Sequence, residues 1–310
     1  MTTTKSSKPR IPIICGPTAA GKTELGVALC HSFQGEVISA DSRQFYTEMT
    51  VGTAKPSIDE MDGVPHHFVN HCSIHHPITA GEFERQGEQK ISEILGRDKL
   101  PIVVGGSGLF IRALVEGLDD LPSDEQLRRE LIAQFENEGI DSILNRLAKS
   151  DREALKTIDR KNQVRVMRAI ELVELSGKSL SALRNQQKPS KPFEPIWIGI
   201  SPEREDLYER IDRRVDQMIA NGLEAEAKSL VEYRDYDALK TVGYKELFGY
   251  VDGEYGLDEA IRLIKRNSRH YAKRQMTWFK KISGIKWFEP EQINVIKQYL
   301  QTQMPENENS

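Results

Sequence analysis

The sequence lacks any long apolar segment. Of its 310 residues 38% are apolar and 29% are charged, and no stretch approaches the roughly 18 consecutive apolar residues that a membrane-spanning helix requires. The residues from Met1 to Arg10 are polar and contain no apolar signal core. These absences predict a soluble, cytoplasmic protein with no membrane partner.

Cysteine is also scarce, with three residues in the chain, which argues against a disulfide framework. Cys15 and Cys30 lie in apolar or amphipathic segments, where cysteine usually acts as a small hydrophobic residue. Cys72 lies in a histidine-rich segment with His66, His67, His71, His75 and His76. A structural zinc site usually needs a second pair of Cys or His ligands, and the chain has none. We therefore expect no zinc there.

Short apolar segments, separated by helical patterns, indicate the fold class. The first, Ile11 to Cys15, precedes a glycine-containing turn and a helix from about Lys22 to His31. Further strands are expected at Glu36–Ser39, Leu100–Val104, Ile196–Ile200 and Lys286–Phe288. This alternation predicts an α/β fold with a mostly parallel sheet covered by helices.

The middle of the chain has a different texture. From about Leu121 to Gln187 it is charged and strongly helical, without strand candidates, and it ends in the proline-bearing segment Lys188 to Pro195. We predict a catalytic core formed by residues 1–120 and 190–310, and a helical insertion at residues 121–189. The composition of Pro305 to Ser310 is typical of disorder.

The most specific motif is a complete Walker A phosphate loop between a predicted strand and a predicted helix. It consists of Gly16, Pro17, Thr18, Ala19, Ala20, Gly21, Lys22 and Thr23. Its backbone N–H groups can surround a diphosphate, Lys22 can neutralise phosphate charge, and the Thr23 hydroxyl can bind Mg²⁺. The loop alone does not distinguish ATP or GTP from a prenyl diphosphate.

A hydrolytic NTPase normally has an aspartate at the end of a buried strand to hold its metal. Here the strand Ile102–Val104 runs into the glycine-rich turn Gly105 to Gly108, so that carboxylate is missing. Asp41 instead follows the strand Glu36–Ser39, at the edge where the phosphate loop is expected. It could accept a proton or help to hold Mg²⁺, and the alternative is a cap for the next turn.

Negative charge is absent from one long segment, although the net charge of the chain is −4. Between Arg262 and Lys281 there are eight cations and no acid. On a helix, five of them form one stripe: Arg262, Arg266, Arg269, Lys273 and Lys280. The pattern predicts contact with phosphate or RNA, and the alternative is a solvated face.

Eight ordered blocks resemble the tRNA dimethylallyltransferases, also called tRNA isopentenyltransferases or the IPP transferase family. Besides the phosphate loop with Asp41–Gln44, they include Gly52–Pro56, Pro65–His67, Ala80–Phe83, Gly105–Leu114, Arg168–Glu171, Val242–Glu246 and Ala272–Phe279. The resemblance implies a P-loop NTPase-like core and a prenyltransferase of the compact bacterial type. Its reaction would move a dimethylallyl group from dimethylallyl diphosphate to N6 of the adenosine 3′ of the tRNA anticodon.

The resemblance also implies residue roles. Asp41 would be the general base, the phosphate loop would hold the diphosphate, Thr23 would bind the Mg²⁺ cofactor, and Arg214 would clamp the pyrophosphate, with Arg213 as its alternative. The tRNA anticodon stem-loop would contact a set that also includes Asp41: Ser42, Arg43, Gln44, Ser107, Arg128, Val164, Arg165, Val166, Met167 and Arg168. The histidine-rich segment would lie beside this RNA-binding cleft.

Arg165 and Arg168 also share a face of the predicted helix, from which both guanidiniums would project. We expect a monomer. Three alternatives remain open: a small-molecule or nucleotide kinase, a prenyltransferase of free adenine nucleotides, and a non-catalytic RNA-binding module. The basic segment argues against the kinase, and the intact phosphate loop argues against the RNA-binding module.

Overall fold

The computed structural model describes residues 8–117, 124–184 and 190–304. The polar segment before Lys8 and the predicted disordered segment from Pro305 to Ser310 lie outside the described residues. The strands are β1 Arg10–Cys15, β2 Gly35–Ser39, β3 His66–His67, β4 Leu100–Gly105, β5 Glu194–Ile200 and β6 Lys286–Phe288.

Helices account for most of the remaining regular structure. Those before the middle of the chain are α1 Lys22–Phe33, α2 Ile58–Met61, α3 Ala80–Leu95 and α4 Gly108–Glu116. The middle contains α5 Glu125–Glu138, α6 Ile140–Ser150, α7 Ala154–Thr157, α8 Gln163–Ser176 and α9 Leu180–Arg184. After β5 come α10 Arg204–Ala220, α11 Leu223–Ser229, a 3₁₀ turn at Val231–Tyr233, α12 Tyr244–Val251, α13 Leu257–Phe279 and α14 Ile293–Gln303.

The six strands form one sheet in the order β3-β2-β4-β1-β5-β6, and every neighbouring pair is parallel. In the central strand, Ile13 lies opposite Val103 of β4 and Trp197 of β5. The side chains of β1 from Ile11 onward are buried, which is expected of a parallel strand covered by helices on both faces. The predicted α/β fold class is confirmed.

Two strands differ from their predictions. The short strand β3 was not predicted, because its histidines carry no apolar pattern, yet His66 pairs with Val37 of β2. Strand β5 begins at Glu194, inside the predicted proline-bearing connection. Pro195 is tolerated because it lies near the beginning of the strand, where a missing N–H matters least.

The strand order determines which loops meet. Because β2, β4 and β1 are neighbours and parallel, the loops that follow them lie side by side at one edge of the sheet. These loops carry Asp41, the glycine-rich turn Gly105–Gly108, and the phosphate loop. The sheet therefore brings together three segments that are far apart in sequence.

The chain divides into two compact units, Met1–Val115 with Lys191–Ser310, and Glu116–Ser190. The second unit has its own core, which includes Leu131, Ile143, Leu147, Val166 and Ile170. Its residues 124–184 contain helices and no strand. The buried Asp151 holds two of its segments together, because the carboxylate accepts hydrogen bonds from the N–H groups of Ala154 and Leu180.

None of the helices in the described part of the chain combines the length and the apolar run that crossing a bilayer would take. The three cysteines are free thiols, and Cys15 and Cys30 are buried in the core. Burial raises the pKa of each of these two thiols to about 12, so both act as small hydrophobic residues.

Candidate active site

The phosphate loop forms a tight turn between β1 and α1. Gly21 has a φ of +83° and Ala19 a φ of +61°, and only glycine adopts such backbone angles without strain. Gly16 lies against β5 so closely that a Cβ atom would come within 2.5 Å of the Ile200 carbonyl oxygen. From Thr18 to Thr23 the loop lines a cavity at this edge of the sheet.

Two cationic side chains lie at this loop: Lys22, which belongs to the loop itself, and Arg214 of helix α10. Burial lowers the pKa of Lys22 to about 8, the charge of Asp41 opposes that shift, and the charge of Arg214 adds to it. The Lys22 ammonium donates a hydrogen bond to the Pro17 carbonyl at 2.5 Å. Burial likewise lowers the pKa of Arg214, again opposed by Asp41. Both groups are therefore half-buried cations whose desolvation is compensated only in part by the charge of Asp41.

Arg214, on α10, is incompletely satisfied. Its Nη2 donates to the Ala54 carbonyl at 3.4 Å, whereas its Nε is the one buried side-chain nitrogen or oxygen atom of the described residues that has no hydrogen-bond partner. Buried polar groups are nearly always paired in folded proteins. The neighbouring Arg213 is exposed and pairs with Glu209 at 3.1 Å. Of the two arginines that the sequence left open, Arg214 lines the cavity.

Asp41 lies in the turn after β2 and also lines the cavity. Its Oδ1 accepts a hydrogen bond from the Arg43 N–H at 3.1 Å, and its carbonyl accepts one from the Gln44 N–H at 3.0 Å. The turn-capping role is thus present, and it occupies only one carboxylate oxygen. Burial, followed by the charge of Asp41, raises the pKa of the Tyr271 hydroxyl on α13 to about 12.

Hydrogen bonds fix the turn that carries Asp41. Ser107 Oγ accepts from the Ser42 N–H at 2.9 Å and lies 3.1 Å from Ser42 Oγ. The Gln44 side chain accepts from Ser39 Oγ and donates to the Ala54 carbonyl, each at 3.3 Å. The Arg43 guanidinium donates to the Asp237 and Ala238 carbonyls at 2.9 and 3.0 Å. Of the residues predicted to contact tRNA, these four therefore also hold the site together.

Another wall of the cavity is the loop Thr50–Lys55. The Glu226 carboxylate of α11 accepts hydrogen bonds from the N–H groups of Thr50, Val51 and Gly52 at 2.8 to 2.9 Å. The buried Tyr244 hydroxyl donates to the same carboxylate at 2.6 Å. No role for Glu226 was predicted from the sequence, because its three N–H partners lie in a distant segment.

These walls enclose a cavity of about 1500 Å³, larger than the roughly 300–1,000 Å³ of ordinary small-molecule sites. It is lined by the phosphate loop, Asp41, the loop Thr50–Pro56, Arg214, and Tyr271 with Arg274. Its size leaves room for a second substrate group beside a small diphosphate.

Oxygen atoms that suit Mg²⁺ line the same cavity. The Thr23 hydroxyl and the Asp41 carboxylate belong to the ligand type that Mg²⁺ prefers, usually together with substrate phosphates and water. The described residues contain no group of three His, Cys, Asp or Glu side chains that could hold a metal by themselves.

The second unit carries the remaining residues predicted to contact tRNA. The Glu171 side chain is 2% exposed and pairs with Arg168 at 2.7 Å and Arg128 at 3.0 Å. The Arg168 guanidinium, predicted to project from the helix together with Arg165, is thus held by a buried carboxylate. Val166 is fully buried, so its side chain supports the helix. Val164 and Arg165 are exposed and Met167 is half-buried.

The basic stripe of α13 is partly neutralised. Arg269 pairs with Asp212 and Lys265 pairs with Asp216 of α10, while Arg262 pairs with Glu259 in its own helix. Charge counted along the segment Arg262–Lys281 misses these carboxylates, because Asp212 and Asp216 belong to a packed neighbour and Glu259 precedes the segment. Lys273, Lys280 and Lys281 are exposed, and no carboxylate of the described chain pairs with them.

The histidines of the predicted histidine-rich loop have separate hydrogen-bond partners. His67 lies 2.7 Å from Glu36, His66 lies 2.8 Å from the Val64 carbonyl, and His71 lies 2.8 Å from Gln86. His75 lies 3.3 Å from the Tyr236 hydroxyl. These contacts give most of the cluster structural roles.

A parallel sheet with a phosphate loop after its central strand and a carboxylate after a nearby strand is the arrangement of a P-loop NTPase-like fold. Within this class the chain belongs to the IPP transferase family, because the family model described as IPP transferase matches residues 44–282. The resemblance inferred from the eight sequence blocks is thereby confirmed.

Curated relatives and solved structures agree with this membership. The chain is 48% identical over 295 residues to the tRNA dimethylallyltransferase of Cytophaga hutchinsonii, covering 95% of this chain and 97% of the relative. The structure of the tRNA isopentenylpyrophosphate transferase from Bacillus halodurans aligns with a TM-score of 0.72 at 39% identity, covering 95% and 96% of the two chains. A eukaryotic dimethylallyltransferase acting on tRNA aligns with a TM-score of 0.84 at 28% identity, covering 97% of this chain and 81% of that one.

Proposed function

We propose that this protein transfers the dimethylallyl group of dimethylallyl diphosphate to N6 of the adenosine directly 3′ of the anticodon in tRNA. The N6 nitrogen forms a bond to the first carbon of the prenyl group as the bond from that carbon to the diphosphate oxygen breaks. Pyrophosphate leaves, and the proton of N6 passes to Asp41. The products are N6-dimethylallyladenosine in tRNA and pyrophosphate.

The observation that carries this proposal is the buried Arg214 Nε without a partner, in a cavity shared with Lys22 and Asp41. An anion bound there would give that N–H an acceptor and would neutralise two desolvated cations. Negative charge develops on the pyrophosphate as it leaves. Fixed cations therefore stabilise the transition state more strongly than they stabilise the bound substrate. Asp41 lines the same cavity and can receive the proton.

The remaining residues bind and orient the substrates. The phosphate loop from Gly16 to Thr23 would hold the diphosphate, and Thr23 would contribute a ligand to Mg²⁺. When bound, Mg²⁺ would supply additional positive charge to the diphosphate oxygens. The adenine has to leave its stack to reach Asp41, as bases do in enzymes that modify them. We further propose that one chain suffices as a monomer and that it acts in the cytoplasm.

The test is a transfer assay with labelled dimethylallyl diphosphate and Mg²⁺, offering unmodified tRNA, AMP or ATP in separate reactions. We expect label in tRNA alone. Label in AMP would instead favour a prenyltransferase of free adenine nucleotides. Turnover of ATP without prenyl transfer would favour a kinase. Either result would overturn the proposal.

A further inference from the structure

The buried side chain of Gln275 connects two loops of the site. It lies on α13 and is 6% exposed. Its Oε1 accepts a hydrogen bond from the Thr18 N–H of the phosphate loop, and its Nε2 donates to the Gly106 carbonyl in the loop after β4, both at 2.9 Å. Each half of the amide therefore has one partner, and the partners' chemistry fixes which half is oxygen.

The connection continues to Asp41. Ser107, the residue after Gly106, donates its N–H to the Ala40 carbonyl at 3.2 Å and accepts at Oγ from the Ser42 N–H at 2.9 Å. It thus holds the residues on both sides of Asp41. An unbroken series of hydrogen bonds runs from the phosphate loop through Gln275 and the turn after β4 to the residues that flank Asp41.

Close packing makes this connection stiff. A Cβ atom on Gly106 would come within 2.4 Å of Gln275 Nε2, so the amide lies directly on the backbone. On either side of Gln275 along α13, Ala272 and Phe279 are fully buried. The side chain therefore has little room for another rotamer.

We infer that Gln275 is a positioning residue that holds the diphosphate-binding loop in register with the Asp41 turn. The inference rests on the proposed function, because register matters only if the group on the diphosphate reacts with an acceptor at Asp41. The Thr18 N–H already donates to Gln275 Oε1. It is therefore not among the N–H groups that would bind the diphosphate. The diphosphate oxygens are left to the N–H groups that follow in the loop.

The chemistry of the amide suggests a test by pH. In Gln275→Glu, a protonated carboxyl can still accept from Thr18 and donate to Gly106, as the amide does. The ionised form cannot donate and places its charge against a carbonyl. Burial raises the pKa of a carboxyl group, so this exchange is expected near neutral pH. Gln275→Met has a similar length, loses both hydrogen bonds and does not titrate.

The quantity to follow is the kcat of Gln275→Glu divided by the wild-type kcat at the same pH. We expect this ratio to fall by about 10-fold to 100-fold as the carboxyl ionises, because reacting groups that are misplaced typically lose this much rate. Gln275→Met should have a low ratio at every pH. The KM values for both substrates should change much less than kcat. Gln301→Glu, an exposed change of the same kind on α14, should follow the wild type throughout.

Amide hydrogen exchange provides a second measurement, independent of activity. The Thr18 amide should exchange faster in Gln275→Met than in the wild type. Equal kcat values for the folded variants and the wild type, with only a lower Tm, would overturn the inference by showing a purely structural role. A wild type that transfers no prenyl group to tRNA would instead refute the proposed function itself.

Discussion

At the scale of single residues, the site combines two desolvated cations, Lys22 and Arg214, with one carboxylate, Asp41. Lys22 and Arg214 both have lowered pKa values, and Asp41 opposes both shifts. Burying a cation without a matching negative charge is unfavourable. Such an arrangement is typical of a binding site in which the ligand supplies the missing negative charge. Because the pKa of Lys22 is about 8, its protonation can be changed within the pH range of ordinary binding experiments.

Binding of inorganic pyrophosphate should therefore depend on pH through Lys22. A bound anion raises the Lys22 pKa above its value of about 8 in the free protein, so binding above pH 8 takes up a proton. Affinity is then highest below pH 8 and falls by up to about 10-fold per pH unit above it. Calorimetry in two buffers of different ionisation enthalpy measures the proton uptake directly.

Lys22→Arg is the control for this prediction, because an arginine stays charged over the whole range. Its affinity should lose most of the pH dependence above pH 8. If the wild type and Lys22→Arg take up the same number of protons on binding between pH 8 and pH 9, the lowered Lys22 pKa does not contribute to diphosphate binding.

Asp41→Asn tests the general base at the same scale. The asparagine oxygen can still accept from the Arg43 N–H, so the turn should be retained. Without a carboxylate to take the N6 proton, kcat should fall by about 10²-fold to 10⁴-fold, while the affinity for tRNA changes little. Asp235→Asn, at an exposed position, should behave as wild type. A normal single-turnover rate for Asp41→Asn would contradict the assignment.

At the scale of elements, the sequence predicted the strands and the phosphate loop, whose formation depends on neighbouring residues in the chain. The phosphate loop and four core strands follow from short-range apolar and glycine patterns, and their ends shift by two residues at most. The contacts of Glu226 and Gln275 were not predicted, because their partners are backbone atoms of distant loops. One sequence signal for Gln275 existed: it occupies a position on the buried face of α13, between Ala272 and Phe279.

Helix α13 allows the two kinds of surface cation to be compared. Lys273 is exposed with no carboxylate partner among the described residues, whereas Arg269 pairs with Asp212 and lies 5.9 Å from the Tyr208 ring centre. If Lys273 meets an RNA phosphate, Lys273→Ala should weaken tRNA binding and reduce the slope of log affinity against log salt by about 1. Filter binding over a salt series measures both quantities.

Arg269→Ala is the matched change on the same helix. It should lower the free energy of unfolding by up to about 1 kcal/mol, the range of partly exposed ion pairs, with a smaller effect on the salt slope. Urea denaturation measures the stability change. Equal salt slopes for the two variants and the wild type would indicate that this face meets solvent rather than RNA.

At the scale of the whole molecule, the chain consists of two compact units, and the second has a core of its own. The cavity with the phosphate loop and Asp41 is built entirely from residues of the first unit. The second unit has its own core and holds Arg128 and Arg168 on Glu171. Under the proposed function, the prenyl diphosphate would therefore bind residues of the first unit.

This division predicts that a change in the second unit can affect one substrate only. Arg165 is exposed on α8 and has no carboxylate partner among the described residues. Arg165→Ala should weaken tRNA binding through the loss of one phosphate contact and lower the salt slope by about 1. The affinity for dimethylallyl diphosphate should stay unchanged, because its site belongs to the other unit. Arg129→Ala removes a similarly exposed arginine, paired with Glu125, and should have the smaller effect. Equal tRNA affinity for Arg165→Ala and the wild type at low and high salt would remove Arg165 from the RNA-binding surface.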